Sequence, residues 1–381
     1  MNILLNFYPV QSGGGQQVAS NFLKILAKND FGHNWFVFVG KGSELEKLAL
    51  KSYSNCRVLS LPYNYRNRIL KIDDIKLFIE KNRIEIIYSY GPILPIKNVP
   101  QVLRTVYSNL YFPEIDFWKG NSFFVKIKKK IIDKYRLKQT LKADGLVFEN
   151  ESMLNRALSL FSFPKEKVRY IEPSVSVFDE SSTKEDLNYL TKIESFKILY
   201  LSSWYLNKNI HVLPQVAKFL KDANCNVKFV LSLSKEDKPV QTNLLSQISK
   251  HELEEYFEFI GKIEAQFVHQ IIRSSDAMIL LSKLECFSSN VVEAFSFKKP
   301  LIISNEKWAH AACHDAALYV NRDDPRDIAS KITNLVASSS LQNLILEASE
   351  KRLESFNTPE EKVYKQVEFL EYIYKLHEKN S

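Results

Sequence analysis

Short apolar runs of strand length alternate with segments of helical periodicity along the whole sequence, and this alternation constrains the fold more than any other feature. The first apolar run, residues 2–8, is followed by a glycine-rich turn and by residues 16–29, whose apolar side chains share one helical face. Further strands are predicted at 35–40, 57–62, 84–90, 101–107, 143–150, 196–203, 226–234, 256–263, 277–282, 300–305 and 317–321. Strands that alternate with helices predict an α/β protein with parallel, doubly wound sheets.

Length and composition indicate two domains. The chain has 381 residues and is 45% hydrophobic, which is enough for two cores of ordinary size. A polar stretch with little hydrophobic period interrupts the series after residue 174. We therefore predict a first Rossmann-like domain over 1–175, a linker over 176–195 and a second, facing Rossmann-like domain over 196–356. Ligands of such folds bind at the carboxyl ends of the strands.

Charge and cysteine content narrow the function classes. Residues 1–175 carry 27 Lys and Arg against 15 Asp and Glu, so an anionic partner is expected for the first domain. The scattered Cys56, Cys225, Cys286 and Cys313 form no metal-ligand pattern and fit reduced thiols in the cytoplasm. The sequence start does not resemble a signal peptide, and no apolar run approaches the roughly 18 residues of a spanning helix. A soluble or peripheral protein is expected.

The stretch 280–304, LLSKLECFSSNVVEAFSFKKPLIIS, combines two carboxylates with a strand, a turn and a helix. Glu285 lies in the turn beyond the strand, and Glu293 lies in the following helix. Free amides at the helix start would suit an anion such as a diphosphate. The turn carboxylate could orient sugar hydroxyls, and the helix carboxylate could accept hydrogen bonds from a ribose. The spacing alone would also suit two solvated surface residues.

In this context the residues resemble the retaining glycosyltransferases of family 4, which have the two-domain GT-B fold. Glu285 through Glu293 resembles the E-x7-E signature of that family. Other segments that resemble the family are 12–23, 148–154, 202–209, 259–263 and 315–329. The resemblance extends over most of the chain. It implies transfer of a sugar from a UDP- or GDP-sugar to a saccharide acceptor, and a C-terminal helix, 357–381, that crosses back to the first domain.

The resemblance also implies roles for individual residues, with the donor on the second domain. Glu285 and Lys208 are the implied catalytic residues: Glu285 holds hydroxyls of the donor sugar, and Lys208 neutralises the diphosphate. Glu293 is expected to bind the ribose. The other implied donor-binding residues are Gly14, Gly15, Ser203, Gly261, Ile263, Phe287, Ser288, Ser289 and Asn290.

The acceptor is expected on the first domain. A loop after one of its strands gathers Arg104, Tyr107, Ser108 and Asn109, which could form a wall of an acceptor pocket together with Gly13. A plain packed loop is the alternative interpretation of the same residues.

Three positions depart from the family pattern. Ser203 stands where the family usually has an arginine, and Cys286 and Ser288 stand where glycines are usual. These differences narrow the donor choice or weaken donor binding. The chain has no D-x-D triplet, so a metal-independent reaction is expected, with the nucleotide sugar as co-substrate and no cofactor.

Residues 123–142 form a basic amphipathic segment with eight Lys and Arg and one acid. Phe124, Ile127, Ile131 and Ile132 recur at helical spacing. Either a packed helix with a solvated basic face or a surface helix that docks on anionic lipid explains the pattern. A nucleic-acid partner is not expected, because no binding module is recognised.

Together these observations predict a cytoplasmic enzyme at the inner face of the cell membrane. Its expected acceptor, which the resemblance and the basic first domain imply, is a lipid-linked O-antigen, capsule or lipopolysaccharide precursor. A catalytically silent partner subunit and a sugar-nucleotide epimerase of the same fold are the alternatives. Donor base, sugar, linkage and oligomeric state are left open by the sequence.

Overall fold

A computed structural model describes residues 1–11, 13–52, 57–62, 72–175 and 183–379. The chain divides into two compact units. Unit 1 comprises Met1–Pro113, Phe123–Ser174 and Asn357–Ser381, and unit 2 comprises Glu114–Ser122 and Val175–Phe356. Cys56 and residues 176–182 of the predicted linker lie outside the described residues.

Unit 1 is a parallel α/β unit. Its strands are β1 (Asn2–Asn6), β2 (Asn34–Gly40), β3 (Arg57–Leu61), β4 (Ile86–Ser89), β5 (Gln101–Arg104), β6 (Gly145–Phe148) and β7 (Val168–Tyr170). They form one sheet in the order β3-β2-β1-β4-β5-β6-β7, with every pair parallel. Its helices are α1 (Gly13–Lys28), α2 (Glu44–Ser52), α3 (Ile72–Lys81), α4 (Phe123–Thr140) and α5 (Glu151–Phe161), and a C-terminal helix completes the unit.

Both faces of the unit 1 sheet are buried, as a parallel sheet requires. Successive residues of β1 alternate between two cores, because Ile3 and Leu5 join one apolar cluster and Leu4 joins the other. The first cluster includes Phe22 of α1, and the second includes Ile75 of α3. The sequence therefore shows continuous apolar runs in the strands and one-sided periodicity in the helices.

Unit 2 has the same architecture. Its strands are β8 (Phe196–Tyr200), β9 (Val227–Leu231), β10 (Phe257–Phe259), β11 (Ala277–Leu280), β12 (Leu301–Ser304) and β13 (Leu318–Val320). They form a parallel sheet in the order β10-β9-β8-β11-β12-β13. Its helices are α6 (Leu213–Asp222), α7 (Lys238–Val240), α8 (Ser246–Lys250), α9 (Val268–Arg273), α10 (Ser289–Ser296), α11 (Lys307–Cys313), α12 (Pro325–Ala337) and α13 (Ser339–Glu354).

Short 3-10 turns and one π turn connect these elements. The 3-10 turns are Ser108–Leu110, Lys165–Lys167, Glu185–Lys192, Leu206–Lys208, Ile210–Val212, Glu254–Tyr256 and Ala265–Phe267, and the π turn is Gln241–Leu245. The structure confirms the predicted α/β class with two parallel, doubly wound sheets. It also contains α3, α5, α7, α8, α11, α13 and β7, which the sequence patterns did not predict.

In each sheet, successive strands are added first on one side of the starting strand and then on the other. In unit 1 the strand order changes direction between β1 and β4, and in unit 2 it changes between β8 and β11. The loops that leave the two central strands diverge at such a topological switch point. The carboxyl ends of these strands are therefore where ligands of doubly wound folds bind.

The last helix, α14 (Pro359–Glu378), belongs to unit 1 and is held there by a buried ion cluster. Glu149, directly after β6, receives hydrogen bonds from the Arg104 guanidinium and lies 2.6 Å from the Lys362 ammonium of α14, Nζ to Oε1. All three side chains are buried. Burial opposes ionisation of the Glu149 carboxyl, but Arg104 and Lys362 outweigh it and lower its pKa to about 2.

No described helix is both long and apolar enough to cross a membrane. The described cysteines, Cys225, Cys286 and Cys313, are free thiols, and the first and last of them are buried.

Replacement of Glu149 by glutamine should destabilise the protein, because it leaves Arg104 and Lys362 as buried cations without their carboxylate. We expect a loss of about 3–5 kcal/mol in the free energy of unfolding. The measurement is chemical denaturation at pH 7, with Glu80→Gln on the exposed surface of α3 as the control.

The same carboxylate should make the wild-type protein acid-sensitive. A lowered pKa contributes stability above the ordinary glutamate pKa, and this contribution is lost as the pH falls from about 4.5 towards 2. Glu149→Gln should remove that part of the pH dependence, and Glu80→Gln should retain it. Equal stability of Glu149→Gln and wild type would show that the cluster contributes nothing.

Candidate active site

An ion pair between the two predicted catalytic residues lies at the switch point of unit 2. Lys208 ends the turn that follows β8, and Glu285 lies in the loop that follows β11. The Lys208 ammonium is 2.6 Å from Glu285 Oε1, and the two side chains are 17% and 14% exposed. A charge-assisted hydrogen bond at this distance is among the stronger polar contacts in proteins. The structure thus brings the predicted pair together where a ligand can reach it.

Asn207 joins the two loops that carry this pair. Its side-chain amide donates to the Leu284 carbonyl at 2.8 Å, and its own carbonyl accepts from the Lys283 backbone N–H at 2.8 Å. Asn209 continues the link, because its side chain donates to the Arg322 carbonyl at 2.6 Å. Asn209 has a φ of 55°, a left-handed conformation that asparagine tolerates better than most residues. Asn207 therefore fixes the loop of Lys208 against the loop of Glu285, and Asn209 fixes it to the loop that follows β13.

The start of α10 is fixed in the same way. Ser288 is the N-cap residue and makes no side-chain cap hydrogen bond to the helix. The Asn290 side chain instead donates to the Leu201 carbonyl beyond β8, at 2.9 Å. Ser288 and Asn290 are buried and Ser289 is half-buried. The first-turn amides of α10 consequently lie beside the loop that leaves β8, where they are suited to an anionic group.

Glu293, the second glutamate of the predicted signature, is a buried acid on α10. It is 4% exposed. Burial raises the pKa of its carboxyl to about 7, and a hydrogen bond with Ser289 offsets this only in part. No salt bridge to Glu293 is found among the described residues. The residue therefore differs from Glu285, whose negative charge has a lysine partner.

Three buried side-chain oxygens at this site have no hydrogen-bond partner among the described residues. They are Asn207 Oδ1, Ser282 Oγ and Glu293 Oε2, which belong to the β8 and β11 loops or to α10. Most buried polar atoms of native proteins are hydrogen-bonded, so an unsatisfied cluster calls for an explanation. A polar ligand that supplies the missing partners is one explanation.

The remaining predicted donor residues of unit 2 are more dispersed. Gly261 follows β10 with a φ of +71°, and no atom would obstruct a side chain at this position, while Ile263 is half-buried. Ser203 is exposed, and its carbonyl accepts from the Tyr200 hydroxyl at 3.4 Å. The Phe287 ring packs edge-on against Phe356, with 5.9 Å between ring centroids.

The predicted glycines of unit 1 lie at its own switch point. Gly13, Gly14 and Gly15 form the first turn of α1, which follows β1. Gly13 has a φ of +70°, and no atom would obstruct a side chain at Gly13 or Gly14. These glycines are therefore open to a ligand, and only Gly13 needs the freedom of glycine for its backbone conformation.

The predicted acceptor residues after β5 are engaged in contacts within unit 1. Arg104 is buried against Glu149. The Arg136 guanidinium of α4 lies 4.1 Å from the centroid of the Tyr107 ring. The Asn109 amide donates to Asp133 of α4 at 2.8 Å, and Ser108 is buried. Tyr107 and Asn109 thus hold α4 beside the loop that follows β5, as the packed-loop interpretation of these residues would have it.

The sequence analysis did not identify four polar residues of this site. They are Asn207, Asn209, Ser282 and Lys283. Within the segment 202–209 only Ser203 and Lys208 were predicted as site residues, although Asn207 is the residue that bridges the loops of Lys208 and Glu285. No local pattern marks Ser282 or Lys283, since their importance arises from burial.

Comparison with known proteins finds a family match within unit 2. Residues 183–352 match the family model described as Glycosyl transferases group 1, so the chain carries a region of that kind within unit 2. The O-antigen chain mannosyltransferase RfbU of Salmonella typhimurium is 22% identical over 219 residues. The match spans 58% of this chain and 58% of that protein.

Solved structures extend the likeness to the whole chain. A glycosyltransferase of Rickettsia africae has a TM-score of 0.72 at 20% identity and covers 100% of this chain and 99% of its own. Anabaena Alr3699/HepE, solved in complex with UDP-glucose, has a TM-score of 0.71 at 14% identity and covers 97% of this chain and 99% of its own. At such identities the likeness concerns the fold, and it confirms the predicted GT-B class.

Glu293 should make the stability of the protein depend on pH in the neutral range. The folded-state pKa of Glu293 is raised to about 7, so its protonated carboxyl contributes fully to the free energy of unfolding below about pH 4.5. That contribution is lost as the pH rises through 7. The expected loss is about 3 kcal/mol.

Denaturation of wild type and Glu293→Gln between pH 5 and pH 8 measures this effect. The variant should lack the decline, and Glu347→Gln on the exposed surface of α13 should retain it. The same decline in wild type and Glu293→Gln would contradict the assignment of the raised pKa to Glu293.

Proposed function

We propose that this protein is a retaining glycosyltransferase of family 4, which moves a sugar from a UDP- or GDP-sugar to a saccharide acceptor. The observation that carries the proposal is the Lys208–Glu285 pair at the switch point of unit 2, within the region that matches the glycosyltransferase model. The complex of Anabaena HepE with UDP-glucose supports a nucleotide-sugar donor for a protein of this fold.

Lys208 and Glu285 would exchange partners when the donor binds. Lys208 would turn from Glu285 to the diphosphate, whose negative charge increases as the sugar departs. Glu285 would then accept hydrogen bonds from hydroxyls of the donor sugar. The pair thus keeps both charges in position and compensated before donor binding, which lowers the cost of organising the site.

Glu293 and the start of α10 would bind the nucleotide. The unsatisfied Oε2 of Glu293 is an acceptor for the ribose hydroxyls. The amides of Ser289 and Asn290 at the helix start would contact the diphosphate. The backbone of Gly261 and Ile263 beyond β10 would contact the edge of the base, and Gly14 and Gly15 of unit 1 are proposed to contact donor phosphate.

In the proposed reaction the acceptor hydroxyl oxygen forms a bond to the anomeric carbon on the face from which the diphosphate leaves. The bond between that carbon and the diphosphate oxygen breaks, and its electron pair leaves with the nucleoside diphosphate. The departing phosphate oxygen accepts the proton of the acceptor hydroxyl. Configuration at the anomeric carbon is retained, and the protein contributes positioning and electrostatic stabilisation without a metal ion.

The acceptor is proposed to bind unit 1, at the carboxyl ends of its strands. Gly13 and the loop of Tyr107, Ser108 and Asn109 are the proposed contacts, while Arg104 would act through the shape of that loop because Glu149 already holds it. The match to an O-antigen mannosyltransferase supports a lipid-linked O-antigen, capsule or lipopolysaccharide precursor as the acceptor.

Substitution of either member of the ion pair should impair transfer more than folding. We expect Glu285→Gln and Lys208→Met each to lower the transfer rate by about 10²- to 10³-fold, because each removes a group aimed at developing charge or at the donor sugar. Release of nucleoside diphosphate from a panel of UDP- and GDP-sugars, with lipid-linked saccharides as acceptors, measures the rate.

Lys298→Met is the matched control, because Lys298 is 69% exposed in an ion pair with Glu350 and should be dispensable. Transfer should persist in EDTA. A transfer rate in Glu285→Gln equal to that of wild type would refute the site, and the absence of nucleotide release by wild type from every donor would refute the enzyme.

Helix α4 is proposed to dock the protein on an anionic membrane surface at the inner face of the cell membrane. Of its 18 residues only Thr140 is buried. Phe124, Ile127, Ile131 and Tyr135 form a stripe at helical spacing and are 82%, 43%, 64% and 51% exposed. Lysines flank this stripe, and each adds about 1 kcal/mol of attraction near an anionic surface. A helix with an exposed apolar stripe and a basic flank fits the lipid interface.

Loss of the stripe should weaken binding to anionic vesicles. The double variant Phe124→Ser and Ile131→Ser should bind vesicles that contain phosphatidylglycerol at least about tenfold more weakly, because two apolar side chains no longer enter the interface. Co-sedimentation with vesicles measures this, and added salt should weaken wild-type binding further.

Leu344→Ser is the control, since Leu344 is 64% exposed on α13 and lies outside the stripe. Equal binding of wild type to neutral and anionic vesicles would argue against docking through α4, as would unchanged binding of the double variant.

A further inference from the structure

Lys283 is a buried lysine whose ammonium group has no partner in the described residues. It lies two positions before Glu285 and is 7% exposed. Its backbone N–H bonds to Asn207, but neither a hydrogen bond nor a salt bridge involves its side chain within the described chain. Buried charges are normally paired, because removal from water costs several kcal/mol per ion. An uncompensated ammonium at this depth therefore indicates a site for an anion.

The backbone around Lys283 places it at the switch point of unit 2. Asn207 accepts from the Lys283 N–H and donates to Leu284, so Lys283 is fixed beside the turn that ends at Lys208. The preceding Ser282 adds a second signal, because its buried hydroxyl oxygen has no hydrogen-bond partner in the described structure. Two adjacent residues in the loop that follows β11 thus carry polar groups without a partner in the described structure.

Charge compensation distinguishes Lys283 from its neighbours. Lys208 is neutralised by Glu285 at 2.6 Å. Arg322 is neutralised by Glu306 at 2.9 Å and by Asp323 at 2.6 Å. Burial lowers the pKa of Lys283, and the charges of Arg322 and Lys119 lower it further. Asp323 and Asp116 oppose this effect but form no salt bridge with Lys283 among the described residues.

We propose that Lys283 is a second diphosphate-binding cation of the donor site. The inference rests on the proposed function, since the diphosphate belongs to the nucleotide-sugar donor. A diphosphate brings at least two negative charges, whereas Lys208 supplies one cation that must first separate from Glu285. Lys283 supplies a cation that forms no salt bridge with a carboxylate among the described residues, and the Ser282 hydroxyl supplies a donor beside it. Binding of the diphosphate would give the buried ammonium the anion that it lacks.

Inorganic pyrophosphate and UDP are the two probes, and calorimetric titration of the full-length protein measures their affinities. Lys283→Met retains the length of the side chain and removes its charge. It should bind both probes about ten- to a hundredfold more weakly, the range for loss of a hydrogen bond to a charged group. Its melting temperature without ligand should equal or exceed that of wild type, because an unpaired buried charge has been removed. Lys298→Met should bind like wild type.

The outcomes separate this inference from the proposed function. Affinities in Lys283→Met equal to those of wild type would overturn the role of Lys283 and leave the glycosyltransferase proposal intact. Pyrophosphate binding that depends on Lys283, without nucleotide release from any UDP- or GDP-sugar, would support the anion site and refute the transferase. If Lys283→Met does not fold, Lys283→Gln takes its place, and wild-type affinity in that variant would equally refute the inference.

Discussion

Parallel pairing of β8 with β11 is the interaction on which the geometry of the candidate site depends. Ala277 pairs with Ile198 and Met278 with Leu199, so the two strands end at the same edge of the sheet. Their apolar side chains are buried, which fixes the register through the hydrophobic effect. The loops that follow must then begin side by side, and the hydrogen bonds of Asn207 hold them together. Lys208 meets Glu285 because of this pairing.

Three glutamates differ in burial and in the number of cations that contact them, and these differences distinguish a structural role from a role in ligand binding. Glu149 is buried between two cations, its pKa is lowered to about 2, and it holds α14 within unit 1. Glu285 is half-buried and shares one lysine. Glu293 is buried without a cation, and its pKa is raised to about 7. A carboxylate with all its partners in the protein stabilises the fold, whereas one that lacks them is available for a ligand.

Much of the fold and part of the site could be predicted from the sequence. The buried strands are continuous apolar runs such as 277–282. A helix with one apolar face, such as 16–29, is predicted from apolar residues that recur with the helical period. Strand β7 has only three residues and α11 only seven, so neither gives a pattern long enough to recognise. Glu285 and Lys208 were found because they lie in segments that resemble a known family, although they are far apart in the sequence.

The sequence by itself determined the alternation of strands and helices, the excess of positive charge in the first half, and the chemical groups offered at the strand ends. Only the tertiary structure decided which of these groups are buried and which of them are paired with an opposite charge. It pairs Arg104 with Glu149, exposes the apolar stripe of α4, and buries the Lys283 side chain without a hydrogen-bond or salt-bridge partner in the described part of the chain. The physical reason is that burial and charge pairing depend on contacts between residues far apart in the chain. Local periodicity contains no information about those contacts.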